Sequence, residues 1–281
     1  MQFEVAGIYV INLDSRPERW EVFQYGLKAW ETAFGKMPER LPAVAGIKLP
    51  GYGLKPWFTA RIPEKRRREW GGKAGCILSH RRAIQKALEH GWENVLIVED
   101  DAFLTEEMAQ TWKDGLERLV RELPEDWSTI NLCTVDPIFP YRARAQYQGV
   151  KVVEAAGALG LVAYLLNGRI FERILAELPD EQTIWSWVAR HKTIDQWFSQ
   201  NMLQYGKVYL FVPCLVGHNA TPSDICMAPN PGRDLDFTLD NIRLLQSPLL
   251  FIITKSVRRV DNYIRWFFSG FRFIIKRLRG L

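Results

Sequence analysis

Short apolar runs alternate with helical stripes along most of this chain, and that pattern predicts an α/β protein. Ala6-Gly7-Ile8-Tyr9-Val10-Ile11-Asn12-Leu13 is a β-rich run, the first predicted strand. Asp14 or Ser15 can cap the helix that follows, and Pro17 suits its first turn. Val22, Phe23, Leu27 and Trp30 recur at helical spacing as its core face. Residues 35–72 have no period. Pro38, Pro42, Pro50, Gly51, Gly53, Pro56 and Pro63 break any long element there, which predicts an irregular loop of the lid or substrate type. The next helix is predicted to open at Gly75-Cys76-Ile77-Leu78-Ser79-His80. Ile77, Ile84, Ala87 and Leu88 form one face of it, and Gly91 is its C-cap.

Val95-Leu96-Ile97-Val98 then ends abruptly in Glu99-Asp100-Asp101. A continuous apolar run of this length reads as a strand buried on both faces. Residues 108–123 carry a helical pattern closed by Pro124, and residues 127–132 form another short strand before a loop with Asp136, Pro137 and Pro140. Residues 150–156 and 159–166 read as two strands, with Gly157 and Gly160 between them. A helix with Ile170, Ile174, Leu175 and Leu178 as its stripe follows. Another begins at Thr193-Ile194-Asp195, with Trp197, Phe198, Met202 and Leu203 apolar. Residues 207–212 are the last predicted strand, followed by His218, Asn219 and the polar turn Ser223-Asp224-Ile225.

The acids after Val98 are the first candidate chemistry. At the carboxyl end of a strand in an open α/β sheet they sit where ligands bind. Three adjacent carboxylates repel one another, and a cation relieves the repulsion; oxygen ligands of this kind suit Mg²⁺ or Mn²⁺. Strand alternation sends Glu99 and Asp101 to one side, so both can face one ion. The plainer alternative is a solvated strand end with Asp100 or Asp101 capping a helix. The first strand and its helix offer an anion site, backbone N–H groups helped by Arg16 and Arg19. No GxGxxG motif accompanies it.

Composition narrows the class. The 281 residues suffice for one large α/β domain with an appendage or for two small domains, and 47% hydrophobic with 25% charged residues is ordinary globular usage. The formal net charge of +5 gathers at residues 61–68 and in the C-terminal tail. Arg61, Lys65, Arg66, Arg67 and Arg68, with Trp57, Phe58 and Trp70, could contact sugar rings and phosphates, bind nucleic acid, or be a solvated loop. Cys76, Cys133, Cys214 and Cys226 form no CxxC pair, which argues against a zinc knuckle and suits free thiols in a reducing compartment. The N-terminus carries no signal-peptide pattern, and no apolar run is long enough to span a bilayer.

The tail, residues 241–281, is predicted to be a separate basic helix beyond a domain at residues 1–240. Ile253, Val257, Val260, Ile264, Phe267, Phe271, Ile274 and Leu278 make one apolar stripe, and Arg258, Arg265, Arg272 and Arg279 recur every seven residues on another face. Asp261 is the one acid after Asp240. Such a helix fits an anionic membrane surface. A coiled coil and a helix docked on its own domain are the alternatives.

The opening Ile8-Tyr9-Val10-Ile11-Asn12-Leu13-Asp14 with Arg16-Pro17-Glu18-Arg19 resembles the opening motif of glycosyltransferase family 25. Gly75-Cys76 with Ser79-His80, the turn Val98-Glu99-Asp100-Asp101, the pair Ile194-Asp195 and Ser223-Asp224-Ile225 follow in the family's order. One departure stands out: the family usually has an acid shortly before the Gly-Cys pair, and Lys73 stands near that place. The resemblance implies a GT-A-like (Rossmann-like) mixed sheet, a UDP-sugar donor, Mn²⁺ or Mg²⁺, and a glycan or glycolipid acceptor. It further implies transfer of galactose to a lipopolysaccharide or lipooligosaccharide hydroxyl with inversion. On that footing Glu99, Asp101 and His218 are the expected metal ligands. Asn12, Leu13, Arg16, Arg19, Ser79, His80 and Asp100 are the expected donor contacts, and Asp195 and Asp224 the candidate general bases. A cytoplasmic enzyme, peripheral on the inner face of a bacterial inner membrane and without a nucleic-acid partner, is the matching expectation. The competing function is a basic membrane- or nucleic-acid-binding protein whose GT-A-like fold is not catalytic; it predicts strongly salt-dependent binding and no nucleotide-sugar affinity.

Overall fold

The computed structural model describes residues 4–220, Ile225 and residues 244–279. Asp224 and Cys226 lie outside the described residues. The chain forms a mixed eight-stranded sheet with helices on both faces and a long C-terminal helix. The strands are β1 (Ile8–Asn12), β2 (Glu39–Pro42), β3 (Asn94–Glu99), β5 (Trp127–Cys133), β6 (Asp136–Tyr147), β7 (Val150–Leu159), β8 (Ala163–Asn167) and β9 (Lys207–Val212), in the spatial order β2-β1-β3-β8-β5-β9-β7-β6. β1 runs parallel to β2 and β3, and β5 parallel to β9; β8 runs antiparallel between β3 and β5. A two-stranded ribbon, β4 (Ala102–Phe103) with β10 (Gly217–His218), stands beside the acids.

The sheet separates two apolar layers. Tyr9, Ile11, Val95 and Ile97 face the layer that holds α3 (Glu64–Glu89), α6 (Phe171–Glu177), α7 (Ile184–His191) and α8 (Ile194–Tyr205). Ile8, Val10, Leu96 and Val98 face the layer of α1 (Pro17–Gln24), α2 (Leu27–Phe34), α4 (Glu106–Thr111) and α5 (Glu117–Arg121). This is strand alternation with apolar residues on both sides, as a central strand requires.

Several predicted boundaries move. α3 does not open at Gly75; it starts at Glu64 and runs through Gly71, Gly72 and Gly75. Those glycines make room rather than break the helix. A Cβ at Gly75 would sit 2.3 Å from the Val44 carbonyl oxygen, and one at Gly71 would sit 2.7 Å from the Ile47 side chain, so the chain at 44–47 lies directly on the helix. The irregular stretch at 35–72 therefore shrinks to 43–63, with a 3₁₀ turn at Gly46–Lys48. Phe58 and Trp70 are core residues, not exposed stacking surfaces. The predicted loop after residue 132 is mostly the twelve-residue strand β6. Pro137 and Pro140 are tolerated because β6 is the last strand of the sheet, its outer side meeting, among the described residues, a single bridge between Tyr141 and Leu244. Residues 108–123 are helical but pass through a π-helical turn at Trp112–Leu116 between α4 and α5. α1 starts with Arg16 at its N-cap instead of Asp14 or Ser15, because Asp14 pairs with Arg40 at 2.7 Å. Val22 is exposed, since the helix breaks before Gly26 and α2 carries the core face onward.

The last helix, α9 (Pro248–Arg279), packs against α7, α8 and β6. Its contact face is Phe251, Asn262 and Ser269, all buried, with Phe273 against Trp57. Lys255 and Arg144 share the buried Glu154 carboxylate, and Arg190 Nε donates to Ser269 Oγ at 3.1 Å. The apolar stripe lies on the opposite side. Val257, Val260, Ile264, Phe267, Phe271 and Ile274 are each about half exposed or more. Amphipathic helices ordinarily bury that face.

Candidate functional site

The site grows from the carboxyl ends of β1 and β3. Glu99 is the last residue of β3, its backbone N–H donating to Val162 O at 2.8 Å. Asp100 and Asp101 already belong to the following turn. Pleat alternation therefore stops at Glu99, and the predicted Glu99–Asp101 convergence cannot rest on it. Glu99 follows Val95 and Ile97 toward the α3 layer, whereas Asp100 is buried on the α1 side. There Asn12 Nδ2 donates to Asp100 Oδ2 at 2.7 Å, and Arg19 Nη1 donates to Asp100 Oδ1 at 3.2 Å. Asn12 Oδ1 in turn accepts from Arg40 Nε at 2.8 Å. Asn12, Asp100 and Arg19 thus form a knot that fixes the strand ends. Leu13 is half-buried beside it, and Arg16 Nη1 lies 3.6 Å from Glu18.

On the α3 side stand Cys76 and His80, one helical turn apart on α3, facing Glu99. His80 Nε2 is 3.5 Å from Glu99 Oε1, and His80 Nδ1 shares a hydrogen bond of 2.8 Å with the Tyr164 hydroxyl. Among the described residues, the ligand atoms of Cys76, His80 and Glu99 all lie within 4.8 Å of one another. Asp195 sits in the first turn of α8, where its Oδ1 accepts from Gln196 N at 2.8 Å, and its charge reaches Cys76, His80 and Glu99. Ser79 is turned to structure: its Oγ donates to Gly75 O and accepts from Val44 N, which pins the 44–46 segment to α3. His218 is buried on β10 opposite Ala102, and Asn219 N donates to the Asp101 carbonyl at 2.7 Å.

The electrostatics follow from burial. Glu99 is pushed up to about 8, by burial first and then by the charges of Asp100 and Asp195. Asp101 is pushed up to about 7, again by burial, then by Glu99 and Asp100. His80 is pulled down to about 4 by burial, and the Cys76 thiol is pushed well up by burial and by Glu99 and Asp195. Asp101 Oδ1 is buried without a hydrogen-bond partner. Partly buried acids that resist ionisation, one with an orphaned oxygen, have the chemistry a divalent cation relieves. Among the described residues, however, Asp101 and His218 do not join Glu99 in a three-ligand cluster; Cys76 and His80 do. Cys76, read in the sequence only as part of the Gly75-Cys76 motif, and Tyr164 are the residues not expected at the site. The available signal is Cys76 standing four residues before His80 on a helix, which puts both on one face.

A second charged feature lies nearer the chain's middle. Lys65, Arg66, Lys73 and Lys192 line a groove of about 570 Å³ with Trp70 and one acid, Glu69.

Residues 5–129 match the family model of Glycosyltransferase family 25 (LPS biosynthesis protein). The match spans β1, α3 and the acids, and supports the resemblance carried by the motifs; Asp195 and His218 lie beyond it. No curated protein matches the chain. Three solved structures are similar at low scores. A197 from STIV is 9% identical, over 83% of this chain and 95% of that one, with a TM-score of 0.41. A glycosyltransferase involved in the glycosylation of the major capsid of PBCV-1 is 11% identical, over 70% and 74%, with a TM-score of 0.36. Mannose-1-phosphate geranyltransferase from Thermus thermophilus is 8% identical, over 74% and 73%, with a TM-score of 0.36.

Proposed function

From the family 25 match over residues 5–129 we infer that this chain is a glycosyltransferase, and we propose that it moves a sugar, galactose first among candidates, from a UDP-sugar to a glycan hydroxyl of lipopolysaccharide type with inversion. The observation that carries the reading is the pair of half-buried acids, Glu99 and Asp101, at the carboxyl end of β3, with Asp101 Oδ1 left without a hydrogen-bond partner and both carboxyls pushed up by burial. Glu99 and Asp101, with His218 as a third candidate, are the residues that would hold Mn²⁺ or Mg²⁺. When bound, the ion would offset the diphosphate charge that develops as the sugar leaves.

The chain's own groups divide the remaining work. The knot of Asn12, Asp100 and Arg19 fixes the edge against which the nucleotide lies, with Leu13 and Arg16 beside it. Ser79 and His80 act on the donor side, Ser79 by holding the 44–46 segment in place. Asp195 takes the proton from the acceptor hydroxyl, in a position within electrostatic reach of Glu99. Asp224 remains a second candidate for that role. The basic groove at Lys65, Arg66, Lys73 and Lys192 suits an anionic acceptor.

The outward stripe of α9 supports peripheral attachment to an anionic membrane, with the helix docked on α7, α8 and β6 and presenting its apolar face away from them. The stripe carries Phe267, Phe268 and Phe271 flanked by arginines, and among the described residues no helix is long and apolar enough to cross a bilayer. This fits an enzyme that extends a lipid-linked glycan at the inner face of a bacterial inner membrane. The test is a screen of UDP-sugars with an acceptor, read as UDP release with Mn²⁺ and with chelator. Mn²⁺-dependent release from one sugar, lost by about 10²-fold or more in Asp195→Asn, supports the reading. Release unaffected by chelator contradicts the metal assignment, and no release from any sugar contradicts the activity.

A further inference from the structure

We propose that Cys76, His80 and Glu99 form a second cation site, selective for zinc-class ions rather than Mg²⁺ or Mn²⁺. The donor set carries the argument. One sulphur, one imidazole nitrogen and one carboxylate lie within 4.8 Å of each other. Zinc bonds of about 2.0–2.3 Å place tetrahedral ligands roughly 3.5 Å apart, so the three atoms need to close by only about 1 Å. His80 Nε2 and Glu99 Oε1 are already 3.5 Å apart. A thiolate beside an imidazole selects zinc over hard, oxygen-seeking cations.

Three further features fit. His80 is 1% exposed, and its Nε2 has no hydrogen-bond partner although it points into the cluster. Tyr164 lies 2.8 Å from the other ring nitrogen, where its hydroxyl can accept from Nδ1–H and leave the Nε2 lone pair for a metal. Metal-bound histidines are commonly oriented this way. Cys76 and Glu99 are only partly buried, so an ion can enter, and a tetrahedral ion held by these three would take its fourth ligand from water or substrate. The site itself does not depend on the glycosyltransferase reading. If that reading holds, Glu99 is shared between the two sites, and zinc excludes the oxygen-bound ion.

Co²⁺ titration of the metal-free full chain tests the site without any sugar substrate. The expected result is one Co²⁺ per chain with a thiolate-to-cobalt charge-transfer band, bleached by Zn²⁺ and absent in Cys76→Ser. Tyr164→Phe should weaken binding by about 10–100-fold. On the unmodified protein, Zn²⁺ should protect Cys76 from iodoacetamide, read by peptide mass. That measurement holds even if a variant fails to fold. Absence of the band, its persistence in Cys76→Ser, or equal alkylation with and without Zn²⁺ would overturn the site. Nucleotide-sugar turnover plays no part in these readings, so failure here and failure of the enzymatic reading are separate results.

Discussion

Replacing Glu99 with glutamine should stabilise the metal-free protein, and only at alkaline pH. The carboxyl is pushed from 4.5 to about 8 in the folded chain, mainly by burial. Between those values the folded protein keeps a proton that the unfolded chain has lost. The unfolded state binds fewer protons there, so native stability falls as pH rises. At about 1.4 kcal/mol per pKa unit, the full shift corresponds to roughly 4 kcal/mol at pH 8 and under about 1 kcal/mol at pH 5. The Glu99 side chain keeps a 28% exposed edge, and water there screens the penalty, leaving about 2 kcal/mol as the expected difference. Glu99→Gln removes the ionisable group while keeping its size. The assay is thermal unfolding in chelator at pH 5 and pH 8. A gain of about 2 kcal/mol raises Tm by roughly 4 °C or more in a protein of this size, at pH 8 and not at pH 5. With Mn²⁺ present the sign should reverse, because the variant has lost a ligand. An unchanged or lowered Tm at pH 8 in chelator would refute the reasoning.

Gly75→Ala should destabilise the fold even though alanine favours a helix by about 1 kcal/mol. The added Cβ would sit 2.3 Å from the Val44 carbonyl oxygen, so a net loss of about 2 kcal/mol or more is expected in denaturant unfolding. The paired change Phe267→Ser with Phe271→Ser should leave the Tm nearly unchanged, since both rings are more than half exposed. It should also lower co-sedimentation with anionic phospholipid vesicles at least tenfold, because each buried phenylalanine contributes about 1.5–3 kcal/mol. Vesicle binding equal to that of the unmodified chain would move the partner of this face from membrane to protein.

The sheet's centre is legible in the sequence because buried strands announce themselves. Val95 to Val98, between polar residues and charge, leave little else to form, and the acids have to stand at the strand's end. The start of α3 is hidden because Gly71, Gly72 and Gly75 look like breakers in one dimension. Their purpose, admitting the chain at 44–47, exists only once that chain has folded back. Pro137 and Pro140 hide β6 for a similar reason, as tolerance of proline depends on lying at a sheet edge. The α9 stripe is readable, but not which side meets the domain: Glu154, buried on β7, draws Lys255 inward and turns the apolar face out. Cys76 and His80 share a helix face in the sequence, yet nothing there ties them to Glu99, which arrives from β3.

Calorimetric titration of UDP into the full chain, with Mn²⁺ and then with chelator, tests the central claim most directly. The account predicts binding that requires the metal and disappears in Asp101→Asn while the protein stays folded. UDP binding of equal strength in chelator, or undiminished in Asp101→Asn, would contradict it.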